Sequence, residues 1–196
     1  MTGRDCSTCH SITGVISSSF LTITAFTLAN CKTILCAKDL IMEYIGTIRT
    51  PFTTLTDMPI QPKGAAEVEG QIILDSRFEE GLQDLDGFSH IYLLYHFHKA
   101  ERTELTVVPF MDTQSRGVFS TRSPLRPNHI GLSIVELVKT EANIVHVRGI
   151  DVLDQTPLFD IKPYIDKFDQ VEQSRSGWMK ASEEEVSGKR SDKRFT

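Results

Sequence analysis

Three arginines, Arg116, Arg122 and Arg126, stand between Gln114 and Ser133 with no acid among them, in a chain of formal net charge -5. Arginine carries a planar, always-charged fork of donors that fits a carboxylate or a phosphate. Gly117, Pro124, Pro127 and Gly131 bar a long helix from this stretch and hold it in turns. The arginine numbers are all even, so an extended run starts them on one face until the prolines bend the path. The pattern suits a site for an anionic group; the alternative is a solvated loop with ordinary surface arginines. His96 and His98 are two apart, which sets them on one side of a strand. His98 suits a hydrogen-bonded or ligand-facing role better than a metal, and no metal site is expected.

Several chemistries lack their motifs. There is no G-x-G-x-x-G, no G-x-x-x-x-G-K-[ST], no G-x-S-x-G and no H-E-x-x-H, so neither a glycine-rich nucleotide loop, a serine elbow nor a zincin helix is supported. The 196 residues, 40% hydrophobic and 24% charged, fit one globular domain plus extensions. The acidic balance gives no bulk attraction to nucleic acid, so any RNA must meet a local patch, and the stretch from Gln114 to Ser133 is the candidate in the middle of the chain.

Residues 1–41 differ in composition from the rest. They hold all four cysteines, Cys6, Cys9, Cys31 and Cys36, and no Asp, Glu, Lys or Arg between Cys6 and Cys31. Serines and threonines dilute the apolar run that a membrane span would need. Cys6 to His10 matches the C-x-x-C-H haem-attachment pattern, and the four cysteines offer a loose zinc set. The preferred reading is an atypical extension without a part in the chemistry, with a natural beginning at Met42. The cysteine-free remainder suits a reducing compartment, the cytoplasm, and no membrane partner is expected.

The core reads as short strands. Tyr44–Arg49, Ala66–Leu74, Phe88–His98, Leu105–Phe110, Gly117–Thr121, Ile130–Val138 and Ile144–Ile150 carry strand patterns. Phe88–His98 reads as buried on both faces. Thr140–Asn143 is the expected turn between its neighbours. Phe78, Leu82 and Leu85 predict a short amphipathic helix over Arg77–Asp86, stopped at Gly87. The prolines of Thr156–Tyr164 reduce that segment to an edge at best. Ser182–Thr196, charged with both signs, is expected to be a solvated or disordered tail. The fold class expected is mainly all-β: a single-sheeted β-barrel with a short helix and irregular extensions.

Three segments together carry a resemblance: Tyr44-Ile-Gly-Thr-Ile-Arg-Thr-Pro51, Gly87-Phe-Ser-His-Ile-Tyr-Leu-Leu-Tyr-His-Phe-His98, and Arg116 to Ser133 continuing to Gly149-Ile-Asp-Val-Leu-Asp-Gln-Thr-Pro157 and on to Tyr164. Their order and spacing resemble the TsaA/TrmO family of S-adenosylmethionine-dependent tRNA methyltransferases, in its barrel-only form. The resemblance covers about residues 42–170 and leaves 171–196 as a charged C-terminal tail. It implies a β-barrel that forms a homodimer, with S-adenosyl-L-methionine as cofactor. It implies as substrate a tRNA carrying N6-threonylcarbamoyladenosine, methylated at N6 beside the anticodon. The alternatives are the same barrel methylating a different acceptor, or a non-catalytic barrel binding an adenosyl ligand or RNA.

The implied cofactor contacts are Gln61, Pro62, Lys63, Phe97, His98, Arg122, Leu132, Asp154, Gln155, Thr156 and Pro157. Two residues depart from the family pattern: Gln155 stands where most members have glycine, and His129 where most have proline. Arg122 is expected to pair the methionine carboxylate, the alternative being an ion pair with a barrel acid. Asp154 either binds the ribose or the methionine ammonium, or makes an Asx-turn before Thr156. His98, Asn128 and Asp154 are the catalytic candidates. His98, His129 and Asp154 compete to accept the proton that N6 must lose, and Arg126 and Asn128 to bind the adjacent carbonyl. Arg116, Arg126 and Lys162 are expected on the RNA side. Tyr92 and Tyr95 read as core or dimer-interface aromatics.

Overall fold

The computed structural model describes residues 42–195, so the cysteine, haem, zinc and membrane readings of residues 1–41 lie outside the described residues. The described chain builds on strands that alternate buried and outward side chains. These are β1 Gly46–Arg49, β2 Glu69–Leu74, β3 His90–His96, β6 Ile130–Glu141, β7 Ile144–Arg148 and β8 Thr156–Pro163. All pair antiparallel and close into a barrel in the order β1-β2-β7-β6-β3-β8. Ile48, Ile72, Leu74, Ile91, Leu93, Tyr95, Val135, Leu137, Val145, Val147 and Leu158 fill its interior. In β2, β3, β6 and β7, which each supply more than one, these lie two apart, the period that puts side chains on one face. Two further pieces, β4 Thr106–Val107 and β5 Arg116–Gly117, form a separate ribbon.

Four expectations are corrected. β3 is buried on one face only: Ile91, Leu93 and Tyr95 point inward, while Tyr92, Leu94 and His96 are partly exposed. β8 is an interior strand rather than an edge, bonded to β1 and β3. Its prolines, Pro157 and Pro163, sit near its two ends, where a missing N–H costs the ladder least. The expected helix is two 3₁₀ turns, Ser76–Leu82 and Leu85–Gly87. Between them Asp84 sits at φ 63, a left-handed residue that no α-helix accommodates, yet Phe78, Leu82 and Leu85 still pack on the core. Gly117–Thr121 is mostly a 3₁₀ turn, Val118–Ser120, held by Thr121 N–H to the Val118 carbonyl.

The end of the chain is also ordered. α1 (Asp166–Asp169) leads to a loop and then to α2 (Glu183–Gly188). Ser182 and Glu185 exchange side-chain and main-chain hydrogen bonds at the start of α2, a reciprocal cap. Beyond α2 the chain is tied back. Ser191 bonds Met58 and Leu55, Arg194 donates to the Pro109 carbonyl, and Phe195 meets the Phe110 ring edge-on. The Trp178 indole N–H donates to the Ser120 carbonyl. The expectation of a solvated tail fails because its anchors are mainly polar and main-chain, which a hydrophobic pattern does not register.

Candidate functional site

The loops leaving one end of the barrel surround a cavity of about 570 Å³, a volume suited to a cofactor-sized ligand. The turn after β3 supplies Phe97, His98, Lys99 and Ala100. The loop ahead of β6 supplies Phe119, Arg122, Pro124, Arg126, Pro127 and Asn128. Buried Val118, Ser123 and Leu125 pin this second loop to the fold. Ser123 Oγ accepts the Leu125 N–H, Thr121 Oγ1 accepts the Ser123 N–H, and His129 N–H returns to the Arg126 carbonyl. The loop's anchors therefore point inward and its arginines stand against the cavity.

Arg122 Nη1 donates to Gln61 Oε1 at 2.9 Å, and Arg126 Nη1 to the Thr121 carbonyl at 3.2 Å. His98 Nδ1 lies 3.4 Å from the Thr156 hydroxyl. Burial, with the Lys99 charge nearby, holds the His98 imidazole below its ordinary range, so the ring is neutral at pH 7 and able to accept a proton. His96 does not share that site. β3 ends at His96, whose ring stacks on Tyr44, meets Phe159 at a tilt and bonds the Tyr44 hydroxyl at 2.8 Å. The alternation that would pair it with His98 stops with the strand.

The sequence-nominated residues divide. Gln61, Phe97, His98, Arg122, Leu132 and Thr156, with Asn128 and Arg126, line the cavity. Pro62, Lys63, Asp154, Gln155, Pro157, Arg116 and Lys162 do not line it. Pro62 opens the 3₁₀ turn Pro62–Ala65, and Lys63 pairs with Glu183 at 2.8 Å. Asp154 closes off β1: its Oδ1 accepts the Thr50 N–H and meets Arg49, and its Oδ2 accepts from Gln155. Burial pulls that carboxyl upward, but the bonds from Thr50 and Gln155, with the Arg49 charge, outweigh it and hold the carboxyl below the usual range. Gln155 keeps φ 63, the left-handed conformation that glycine takes without strain. Pro157 lies opposite Thr47 in the ladder. Arg116 grips Asp112 through Nη2 at 2.7 Å and lies 5.6 Å over the Trp178 ring. Lys162 pairs with Asp160 on the barrel wall. His129 also stays outside the cavity lining. Its Nδ1 lies 2.9 Å from the Pro124 carbonyl, which can only accept, so that nitrogen carries the proton. His129 sits at φ 48, which a proline cannot reach.

Sequence reasoning missed Asp151 and the C-terminal wall. Ser191, Asp192 and Phe195 line the cavity, as do Phe110 and the 74%-exposed Phe119. The Ser182-x-x-Glu185 capping pattern was the legible sign that a folded element follows. Asp151 belongs to a polar chain in the cavity floor. The Ser133 hydroxyl donates to Asp151 Oδ1 at 2.7 Å and lies 3.1 Å from the Tyr95 hydroxyl. Burial drives the Asp151 carboxyl up to about 6, against the opposing Ser133 bond.

A raised carboxyl of this kind makes stability depend on pH. The folded state holds the Asp151 proton more tightly than the unfolded chain does. The stabilisation is full below the ordinary carboxylate range and is lost as pH rises through about 6. Asp151→Asn keeps the Ser133 bond and removes the buried charge. Its thermal midpoint should exceed the parent's at pH 8 and converge on it only as pH falls below the ordinary carboxylate range, near pH 3. The difference is at most about 3 kcal/mol, since each tenfold gain in proton affinity on folding is worth about 1.4 kcal/mol. Equal differences at both pH values would contradict the assignment.

The family model described as the tRNA-methyltransferase O N-terminal domain matches residues 47–170. A Pyrococcus abyssi protein named "Probable S-adenosyl-L-methionine-binding protein" is 46% identical over 151 residues, 77% of this chain and 82% of its own length. The Homo sapiens "tRNA (adenine(37)-N6)-methyltransferase" is 35% identical over 67% of this chain, which spans 31% of that protein. The crystal structure of TrmO from Pseudomonas aeruginosa superposes with a TM-score of 0.60 at 38% identity, covering 70% of this chain and 62% of the TrmO chain.

Proposed function

The chain belongs to the family of the tRNA-methyltransferase O N-terminal domain, and from that premise we propose that it transfers the methyl group of S-adenosylmethionine to N6 of threonylcarbamoyladenosine in tRNA. One observation carries the reading. Gln61, Phe97, His98, Arg122, Leu132 and Thr156, nominated from separated segments, meet around one cavity. The walls fit the cofactor by their chemistry. Phe97, Leu132 and Leu153 offer apolar surface, Arg122 a guanidinium for a carboxylate, and Asp151 an acid for a cation.

The bound cofactor supplies a methyl group on a sulfonium, whose displacement leaves a neutral thioether and calls for no acid. The chain has two tasks: to hold the acceptor nitrogen in line and to receive its proton. Neutral His98 is the base at the cavity wall, with its Nδ1 side steadied by Thr156. Asn128, exposed on the rim, offers its amide to the carbonyl conjugated with N6. Asp154 orders the end of β1 and acts on the site through the loop that leads to Thr156.

The reading includes a homodimer. Leu132, Ile134 and Val138 are exposed on one outward stripe of β6, an apolar strip that a second copy would cover; sedimentation of the full chain measures it. It places the enzyme in the cytoplasm, where tRNA is modified; no helix among the described residues is long and apolar enough to cross a membrane. Residues 42–170 are the catalytic barrel and residues 1–41 take no part. A chain shortened to begin at Met42 should keep its thermal midpoint and its cofactor affinity, and a loss of more than about tenfold in affinity would tie the first 41 residues to the fold.

Incubation with total tRNA and methyl-labelled S-adenosylmethionine tests the activity. Digestion should return the label on an N6-methylated adenosine derivative. Label on another nucleoside would favour a different acceptor, and cofactor binding without transfer a non-catalytic barrel.

A further inference from the structure

Most arginines of the described chain hold an acid. Arg49 meets Asp154, Arg77 meets Glu43 and Asp75, Arg102 meets Glu104, Arg116 meets Asp112, Arg148 meets Glu136, and Arg194 meets Asp192. Arg122 and Arg126 make no such pair, and both line the same cavity. Arg122 is exposed and Arg126 is half-buried; a guanidinium drawn partly out of water without an acid, as Arg126 is, is costly unless an anion completes it. Of the cavity's own acids, Asp192 is taken by Arg194, and Asp151, which accepts from Ser133, attracts Arg122 without forming an ion pair with it. The cavity thus presents two forks that hold no acid.

The reaction proposed above brings two carboxylates to this place: the methionine carboxylate of the cofactor and the threonine carboxylate of the acceptor base. Arg122 bonds Gln61, a residue nominated for the cofactor. Arg126 stands beside Pro127 and Asn128, the latter the residue proposed above to meet the acceptor's carbonyl. One of its Nη groups is committed to the Thr121 carbonyl, which aims the rest of the fork. We infer that Arg126 is the specificity-determining residue that reads a carboxylate carried by the acceptor nucleobase. The inference rests on the proposed function and adds to it: the site selects an acidic acylated adenosine over a neutral one. Lys99 also lines the cavity, but its ammonium is a point charge on an exposed stem and cannot grip a carboxylate with two parallel bonds.

The test uses the full chain and two anticodon stem-loop RNAs. One carries threonylcarbamoyladenosine, and its twin carries the threoninamide in place of the acid. The parent protein should favour the acid by about a hundredfold in kcat/KM, the scale of losing a charge-assisted recognition contact. Arg126→Ala should slow the acid substrate by about that factor and leave the amide within about twofold, with cofactor affinity unchanged in calorimetry. Arg126→Lys should recover only part of the preference. Equal slowing of both RNAs, with a log–log salt slope shallower by about 0.7–0.9, would make Arg126 a phosphate contact and overturn the inference. A loss of cofactor affinity would overturn it in favour of the cofactor carboxylate. A parent protein that methylates both RNAs alike would overturn it alone, whereas one that methylates neither would remove the function on which it rests.

Discussion

Arg122→Ala should weaken S-adenosylmethionine binding by about ten- to a hundredfold, while Arg116→Ala should leave it within about twofold. The first figure is the loss of a hydrogen bond to a charged group, ~1.5–3 kcal/mol. Both residues come from one acid-free stretch of sequence, and the structure separates them. Arg122 lines the cavity and donates to Gln61. Arg116 is half-buried between Asp112 and Trp178, outside the cavity. Removing it costs a surface-type ion pair and a ring contact, which act on the loop and not on the ligand. Calorimetric titration of both variants decides the matter, and equal affinities would show that Arg122 does not meet the cofactor.

Gly131→Ala should destabilise the protein by about 3 kcal/mol, the upper range for forcing a methyl group into a filled core. Gly131 lies directly opposite Tyr95 across the β3–β6 ladder, and a methyl group there would overlap the edge of the Tyr95 ring. The ring has little room to yield. It is buried, its hydroxyl is bonded to Ser133, and it meets Phe97 edge-on at 5.3 Å. Gly117→Ala is the control: Gly117 has φ -60, and nothing lies within 4 Å of the added carbon. Thermal unfolding should show a drop of several degrees for Gly131→Ala and almost none for Gly117→Ala. Because Tyr95, Gly131 and Phe97 also line the cavity, cofactor affinity should fall with stability in the first variant only.

The barrel was legible where alternation was clean. β6 and β7 show it in their own residues, and their predicted positions, like that of β3, hold to within a few residues; the aromatic and aliphatic residues on the outer face of β3 hid its alternation. β8 was underestimated because proline content speaks against a central strand, whereas position within the strand decides the cost. The C-terminal wall was illegible because Ser191, Arg194 and Trp178 are held by main-chain partners far away in sequence, and no periodicity reports such bonds. At the site, the loop arginines could be read as a set but not individually. Arg116 was expected on the RNA side, and the structure instead pairs it with Asp112, four residues earlier. Asp151 and Asp154 lie three apart in the segment between β7 and β8. Without a strand to set their facing, type and spacing could not tell which enters the cavity. Only the fold shows that Asp151 does and that Asp154 ties down β1.

The central claim, methylation of threonylcarbamoyladenosine in this cavity, has one direct measurement. The full chain is incubated with methyl-labelled S-adenosylmethionine and tRNA from cells that make the threonylcarbamoyl modification, and in parallel with tRNA from cells that lack it. Transfer should occur to the modified pool and be near background for the unmodified one. In the modified pool the label should sit on the threonylcarbamoyl nucleoside. Equal transfer to both pools, or transfer to neither by a protein that binds the cofactor, would contradict the account.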